Sequence, residues 1–243
     1  MSTFKFSSAL QYWNKDDEKH KAFSLALDIA LMEGPLTAAK LEHIANNTWR
    51  ANGAKPVPMS KRLTDEDIRS AAKRYGINYA ALRAIIEVES RGTGFLADGR
   101  PAILFERHIF YYETEKPVSK TEPDISNPNP GGYSSSTGEW DRFNRAAKWD
   151  RPAAIRSASW GLGQVLGTNI ASLGYPSEET FYKEMCESEA KQLEAMIKFL
   201  QVNNLIGLAN NQKWASFAEA YNGPNYKINN YDVKLAAAYN KFS

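Results

Sequence analysis

The stretch IIEVESRGTG contains two glutamates, Glu87 and Glu89, directly before a glycine-rich turn. A glutamic acid that stays protonated near neutral pH can act as a general acid, and glycoside hydrolysis depends on such a group. A carboxyl group stays protonated when it is partly removed from water, because desolvation disfavours the charged form and raises the pKa. The chemistry therefore depends on which glutamate points towards the protein interior.

Helical phase separates the two glutamates. The segment 79–90, YAALRAIIEVES, predicts a helix with one apolar stripe. The stripe consists of Leu82, Ile85 and Ile86. Glu89 continues this stripe and is the candidate acid; the alternative is a glutamate at the stripe edge that reaches solvent at the helix end. Glu87 lies on another face, where Arg83 four residues earlier predicts a solvated ion pair.

The residues around this segment predict a helical hairpin. Thr64 is the expected N-cap of a first helix, and the acids at 65–67 suit the dipole of its first turn. Gly76 suits the left-handed position that ends this helix, and Asn78 can cap the next one. The hairpin would place Glu89 at the end of its second helix, beside the glycine-rich turn.

The rest of the chain predicts a mainly α-helical, α+β domain with a small strand-like insert. The insert is expected at 100–113, which is rich in Ile, Leu, Phe and Tyr. A polar loop rich in Pro, Asn and Ser is expected at 116–140. Helices are expected to resume at 152–157, 178–202, 212–221 and 231–240.

The chain is expected to have two parts. Residues 1–60 predict a small helical region, interrupted at Gly34 and Pro35, and 50–61 is the best linker candidate because it holds two prolines and a glycine. Residues 61–243 would form the main domain.

Composition and charge exclude several classes of protein. Of the 243 residues, 43% are apolar and 24% are charged, and the net charge of +2 lacks the basic excess of a nucleic-acid-binding protein. No run approaches the ~18 apolar residues of a membrane span. Cys186 is the single cysteine, so an intramolecular disulfide is impossible.

Metal and export signals are also missing from the sequence pattern. The three histidines, His20, His43 and His108, lack the paired spacing of a zinc site, so no metal and no cofactor are expected. The N-terminus shows no apolar core of a signal peptide, which predicts synthesis in the cytoplasm.

Three short motifs resemble those of the lysozyme-like superfamily, which includes goose-type lysozymes and lytic transglycosylases. They are ES at 89–90, GLGQ at 161–164, and AYNGP at 220–224, which is one residue shorter than the family's AYNxGP pattern. The stretch from 63 to the C-terminus is more closely similar to the N-acetylmuramidase domain of phage endolysins and some bacterial effectors. Residues 1–60 show no such resemblance, so a cell-wall-binding or accessory role for them follows from position alone.

The resemblance implies a lysozyme-like fold and cleavage of the β-1,4 bond between N-acetylmuramic acid and N-acetylglucosamine in peptidoglycan. Glu89 would be the general acid. Glu106, in LFERH, matches the family's second acidic position and would activate water or stabilise the oxocarbenium-like transition state. The alternative for Glu106 is a structural ion pair with Arg107 or His108. Asp98 is the rival second carboxylate, although Asp-Gly is an ordinary turn signal.

The other motif residues would bind substrate in this interpretation. Gly161 would let the backbone approach a sugar, and Gln164 would hold a hydrogen bond near the cleft. Tyr221 and Asn222 would line the pocket of the acid, and Tyr221 could hydrogen-bond Glu89; a helix-terminating turn at Asn-Gly-Pro is compatible with this role.

Tryptophans offer flat apolar faces to sugar rings. Trp140, Trp149 and Trp160 lie between the second carboxylate and the GLGQ motif, and we expect at least one of them, with Trp160 as the candidate, to face the cleft. Core packing is the alternative for each of them.

Two other functions compete with hydrolysis. A lytic transglycosylase would use the same Glu89 but leave 1,6-anhydro ends and would not need Glu106. A helix-turn-helix DNA-binding protein would use 70–87, but its recognition helix would carry a single basic residue.

The expected partners follow from the resemblance. The enzyme would be a monomer that acts on bacterial peptidoglycan, without nucleic acid and without stable membrane insertion. A phage endolysin would need a holin to reach the wall, whereas a secreted effector would have an immunity protein.

Overall fold

The structure is a computed structural model that describes residues 61–90, 93–96, 98–114, 118–223, 226–227 and 230–243. The chain divides into two units, Lys61–Leu96 with Pro101–Ser243, and Met1–Ser60 with Ala97–Arg100. The predictions for residues 1–60, including most of the linker, lie outside the described residues and stay predictions. The described helices and strands all lie in the first of these units, and residues 98–100 belong to the second.

This unit is mainly helical. Its described α-helices are α1 (Asp65–Tyr75), α2 (Tyr79–Ser90), α3 (Arg107–Thr114), α4 (Val118–Thr121), α5 (Ser136–Trp149), α6 (Arg151–Arg156), α7 (Glu178–Glu187), α8 (Glu189–Val202), α9 (Ile206–Asn210), α10 (Trp214–Asn222) and α11 (Tyr231–Phe242). A short 3₁₀-helix follows the sheet at Gly167–Asn169.

A small antiparallel sheet interrupts the helices. Its order is β1 (Ile103–Phe105), β2 (Ala158–Trp160) and β3 (Val165–Leu166). Ile103 pairs with Trp160 across the first two strands, and the GLGQ motif forms the loop of the β2–β3 hairpin. The predicted fold class, mainly α with a small strand insert, is confirmed. Within the insert predicted at 100–113, only Ile103–Phe105 is a strand, and Arg107–Thr114 forms α3.

The predicted α1–α2 hairpin is confirmed, together with its caps. The Thr64 hydroxyl accepts from the Asp67 backbone N–H at 3.1 Å, and the Asp67 carboxylate accepts from the Thr64 N–H at 2.8 Å. Gly76 ends α1 in the left-handed conformation, with φ of 66°. Asn78 Oδ1 accepts from the Ala81 N–H at 3.0 Å and so caps α2. Local capping chemistry therefore fixes where the helix that carries Glu89 begins.

The apolar stripe of α2 is buried as predicted, and Glu87 is exposed. Its predicted ion pair with Arg83 is wrong, however. Glu87 pairs with Lys241 of α11, and Arg83 pairs with Asp65 at 3.3 Å. Helix α11 packs along α2 and brings in a cation from a distant part of the sequence, which the local pattern of α2 cannot indicate.

The loop predicted at 116–140 is only partly right. It contains α4 and the first turn of α5, where the Ser135 hydroxyl accepts from the Gly138 N–H at 3.3 Å. Helix α5 buries Trp140, Phe143 and Ala146 along one face. The Ser-rich start of this helix suggested a loop because Ser favours turns and N-caps alike. The helix predicted at 178–202 is also broken, at Ser188, which caps α8.

Helix α8 holds the chain on both sides of the α1–α2 hairpin through Glu189. This carboxylate, which is 3% exposed, accepts from the backbone N–H groups of Leu63 and Gly94, each at 2.8 Å. Arg62 donates to it at 2.9 Å and supplies the opposite charge. The segment that follows the Glu89 helix is therefore anchored at Gly94 by a buried ionic hydrogen-bond network.

One turn further along α8, Gln192 holds the GLGQ loop. Its side-chain oxygen accepts from the Leu162 N–H at 2.8 Å, and its amide nitrogen donates to the Met185 carbonyl at 2.8 Å. A Cβ at either Gly94 or Gly161 would overlap this amide. The two loops therefore approach α8 so closely that both positions require glycine.

Replacing Glu189 with alanine should destabilise the fold strongly. The change leaves two backbone N–H groups and a guanidinium without their buried acceptor, a loss on the order of 3–5 kcal/mol in the free energy of unfolding. Urea denaturation measures it. Glu187→Ala is the matched control, because Glu187 is exposed in the preceding helix and should change stability by less than about 0.5 kcal/mol. A loss for Glu189→Ala as small as that of the control would contradict the anchoring role.

Candidate active site

Glu89 is the penultimate residue of α2, and its carboxyl group is partly desolvated. Its Oε1 atom is buried and has no hydrogen-bond partner among the described residues. Burial raises the pKa of Glu89 from its ordinary value of 4.5 to about 7. The apolar stripe thus carries the carboxyl group into an environment that favours its neutral, proton-bearing form.

Tyr221 lies close enough to Glu89 for the two side chains to interact electrostatically. Burial, followed by the negative charge of Glu89, raises the pKa of the Tyr221 hydroxyl well above its ordinary range. The predicted hydrogen bond between the two is wrong, however, because the Tyr221 hydroxyl donates to the Gly163 carbonyl at 3.3 Å. The Tyr221 ring stacks on Phe217 with 5.5 Å between centroids, which fixes this direction. Asn222 follows as the exposed last residue of α10.

The GLGQ loop is compact and turned towards the interior. Gly161 has φ of 64°, and its N–H donates to the Ala102 carbonyl at 2.7 Å. Gln164 also has a positive φ of 45°, a conformation that costs a non-glycine residue about 1 kcal/mol. Its side-chain amide donates to the Gly161 carbonyl at 2.9 Å and supports this geometry. Gly161 packs closely against Gln192, and the predicted approach of its backbone to a sugar stays a prediction.

Glu106 lies at the junction of β1 and α3. Its carbonyl accepts from the Phe110 N–H at 3.1 Å, so the carboxylate sits at a helix N-terminus, where a negative charge is favoured. The Tyr133 hydroxyl lies 3.0 Å from one Glu106 carboxylate oxygen and 3.1 Å from the other. His108 Nδ1 is 3.3 Å from Oε2, but this nitrogen has no hydrogen bond in the described part of the chain.

The neighbouring Arg107 does not pair with Glu106. Its guanidinium donates to the carbonyls of Asn129 at 3.0 Å and Pro130 at 3.2 Å. Of the two structural ion pairs considered for Glu106, the structure contains only the close approach of His108.

Asp98 belongs with the second unit and forms a local turn with Arg100. Its carboxylate accepts from the Arg100 backbone N–H at 3.0 Å and from Nε of the same side chain at 2.9 Å. Partial burial alone would raise the pKa of Asp98, but these hydrogen bonds outweigh it and the pKa is lowered. The geometry is that of the turn signal in the sequence.

The prediction that Trp160 faces a sugar is wrong. Trp160 is fully buried, and its indole N–H donates to the Ile155 carbonyl at 3.0 Å. It packs edge-on against Phe143 at 5.3 Å, in the aromatic core that joins the sheet to α5. Trp140 is 3% exposed in the same cluster, whereas Trp149 is 49% exposed and donates to Glu122. The sequence cannot separate the three because every tryptophan suits either a core or a sugar surface.

A buried ion pair on α5, missed in the sequence, holds the strand end before Glu106. Glu139 and Arg142 are 2% and 3% exposed and lie 2.8 Å apart. Glu139 accepts from the Phe105 N–H at 2.8 Å and from the Ser134 N–H, while Arg142 donates to the Phe105 carbonyl at 3.0 Å. The signal was present, because Glu139 lies one turn before Phe143 on the apolar face of α5, just as Glu89 extends the stripe of α2.

Among the residues that the structure describes, no cluster of His, Cys, Asp or Glu could hold a metal ion. The described helices include none with the length and apolar character that crossing a membrane requires.

Comparisons with known proteins agree with this architecture. Residues 78–243 match the Muramidase family, described as N-acetylmuramidase, and the matched range contains Glu89 and Glu106. The crystal structure of the Burkholderia AP3 phage endolysin is similar with a TM-score of 0.73 and 39% sequence identity, over 81% of this chain and 77% of that one. Among curated protein sequences, none matches. The chain therefore belongs to the N-acetylmuramidase family and is a glycoside hydrolase that acts on peptidoglycan.

Proposed function

We propose that the chain is a phage endolysin in which Glu89 is the general acid for cleavage after N-acetylmuramic acid. The observation that carries this proposal is the buried Oε1 of Glu89, which has no hydrogen-bond partner in the described residues. A carboxyl group with a pKa of about 7 is substantially protonated at neutral pH and can protonate the leaving oxygen.

The surroundings of Glu89 suit this role. Tyr221 is near Glu89, but its hydroxyl proton is engaged by the Gly163 carbonyl. The acid therefore receives no hydrogen bond from this tyrosine, and a donor there would have stabilised its charged form. Tyr221 would shape the pocket and exclude water, and Asn222 and Gln164 remain the proposed polar contacts to substrate.

Glu106 is the proposed second carboxylate. It lies at a helix N-terminus with the Tyr133 hydroxyl as donor, and both features suit a carboxylate that carries negative charge. It would activate the attacking water or stabilise the oxocarbenium-like transition state. Asp98 is the weaker candidate because Arg100 already engages its oxygens.

The biological setting is host lysis, supported by the similarity to the Burkholderia AP3 phage endolysin. The proposed enzyme acts as a monomer and reaches the wall from the cytoplasm with the help of a holin. Residues 1–60 would serve as a cell-wall-binding or accessory region. An immunity protein would be the partner only if the chain were a secreted effector.

Replacing Glu89 with glutamine should abolish lysis while the fold remains intact. Loss of a general acid lowers the rate by roughly 10²–10⁴-fold, because the leaving oxygen then departs unprotonated. Release of reducing ends from purified peptidoglycan measures the rate. Glu87→Gln is the matched control, since it makes the same change on the exposed face of the same helix. A Glu89→Gln protein with more than about half of the wild-type rate would exclude the acid role.

Replacing Glu106 with glutamine should also slow hydrolysis, by about 10²-fold or more, whereas Asp98→Asn should have little effect. Mass spectrometry of the muropeptides is the second readout, because hydrolysis leaves reducing ends and transglycosylation leaves 1,6-anhydro ends. Reducing ends are expected. Normal rates in Glu106→Gln combined with slow Asp98→Asn would transfer the role to Asp98, and anhydro products would point to a transglycosylase.

Glu89 should make the stability of the protein depend on pH. Folding raises its pKa from 4.5 to about 7, so below the lower value the side chain is protonated in both states and its burial costs little. As pH rises through about 7, the folded state must bury a charge, and this contribution to stability is lost. Glu89→Gln cannot ionise, so it should match wild type at about pH 4 and exceed it by roughly 2–3 kcal/mol at about pH 8.

Urea denaturation at both pH values measures this difference, with Glu87→Gln as the control that should show no such pH-dependent gain. A constant difference between Glu89→Gln and wild type across the range would mean that folding does not raise the pKa of Glu89.

A further inference from the structure

Tyr133 is the one described residue whose side chain donates a hydrogen bond to the Glu106 carboxylate. Its hydroxyl lies almost midway between the two oxygens, at 3.0 Å and 3.1 Å, so a single proton is shared between them. Partial burial and the charge of Glu106 raise the pKa of Tyr133, which keeps the hydroxyl protonated and able to donate. The neutral Tyr133 hydroxyl therefore donates to the Glu106 carboxylate and orients the plane of that group.

The position of Tyr133 is fixed from the preceding side, although its side chain is 52% exposed. Arg107 donates to the carbonyls of Asn129 and Pro130, and a Cβ at Gly132 would lie only 2.7 Å from the same guanidinium. The loop thus wraps around Arg107, which is the residue directly after Glu106. The Arg107 side chain consequently ties the loop that carries Tyr133 to the chain next to Glu106.

Glu139 fixes the same pair from the other side. Its carboxylate accepts from the N–H of Ser134, which follows Tyr133, and from the N–H of Phe105, which precedes Glu106. Arg142 neutralises it and is buried with it. One buried carboxylate therefore sets the distance between the two chain segments that bring the phenol and the carboxylate together.

We propose that Tyr133 is a positioning residue for Glu106 in the hydrolytic reaction. The inference rests on the proposed role of Glu106 as second carboxylate. A glutamate side chain has several rotatable bonds, and confining it costs conformational entropy. Arg107 and Glu139 hold the loop that carries Tyr133. The Tyr133 hydroxyl therefore confines the carboxylate before substrate binds, so that its two oxygens are already oriented for the reaction.

The test is kinetic and uses the full chain with a soluble peptidoglycan fragment. Tyr133→Phe removes only the hydroxyl and should lower kcat about tenfold while KM changes by less than about twofold. The double variant Tyr133→Phe with Glu106→Gln should be no slower than Glu106→Gln alone, because the hydroxyl acts only through that carboxylate. Tyr112→Phe is the matched control, since Tyr112 is 66% exposed on α3 and should retain wild-type rates.

The possible kinetic results separate a positioning role of Tyr133 from its alternatives. An unchanged kcat in Tyr133→Phe, or a rise in KM alone, would overturn the positioning role, the latter in favour of plain substrate binding. Additive losses in the double variant would also overturn it, because the hydroxyl would then act independently of Glu106. Wild-type rates in Glu106→Gln would instead refute the proposed second carboxylate itself, and the positioning role would fall with it.

Discussion

The arrangement of the site depends on the buried polar face of helix α8. Glu189 and Gln192 lie one turn apart and satisfy the backbone N–H groups of Gly94 and Leu162. Buried N–H groups need partners, so the segment after the Glu89 helix and the loop of the β2–β3 hairpin have no freedom to move away from α8. The glycines in these two loops follow from the same constraint, because any side chain would separate the loops from the helix. The positions of these two segments are thus set by α8, an element outside the motifs.

Glu139 and Glu189 have a structural role, whereas Glu89 is the proposed acid, because the surroundings of these glutamates differ. Glu139 and Glu189 each have an arginine partner and two backbone donors, so each holds chain segments in place. Glu89 has neither among the described residues, and desolvation raises its pKa. Removing the partner of a paired buried carboxylate is costly, whereas a carboxyl group that was never paired simply keeps its proton. Residue type therefore does not distinguish the proposed acid from the other two glutamates, whereas its surroundings in the described part of the chain do.

Predictions from the sequence were right where the interacting residues lie close together in the chain and wrong where they lie far apart. The bounds of α1 and α2 and the burial of the stripe that leads to Glu89 follow from caps and periodicity within one helix, and these predictions were confirmed. The partner of Glu87, the direction of the Tyr221 hydroxyl and the burial of Trp160 depend on elements far away in the chain, and these predictions were wrong. The start of α5 was missed because Ser and Gly residues describe an N-cap and a loop equally well.

Glu89 and Glu106, the two proposed catalytic residues, differ in their roles because they lie at opposite ends of helices. Glu89 stands at the C-terminal end of a helix, where the dipole offers its charge no support, and its buried oxygen has no donor among the described residues. Glu106 stands at the N-terminal end of a helix and has the Tyr133 hydroxyl across both oxygens. Helix polarity and hydrogen-bond donors thus act in opposite directions on the two side chains. Placement in the fold can therefore give two glutamates the different roles that glycoside hydrolysis requires.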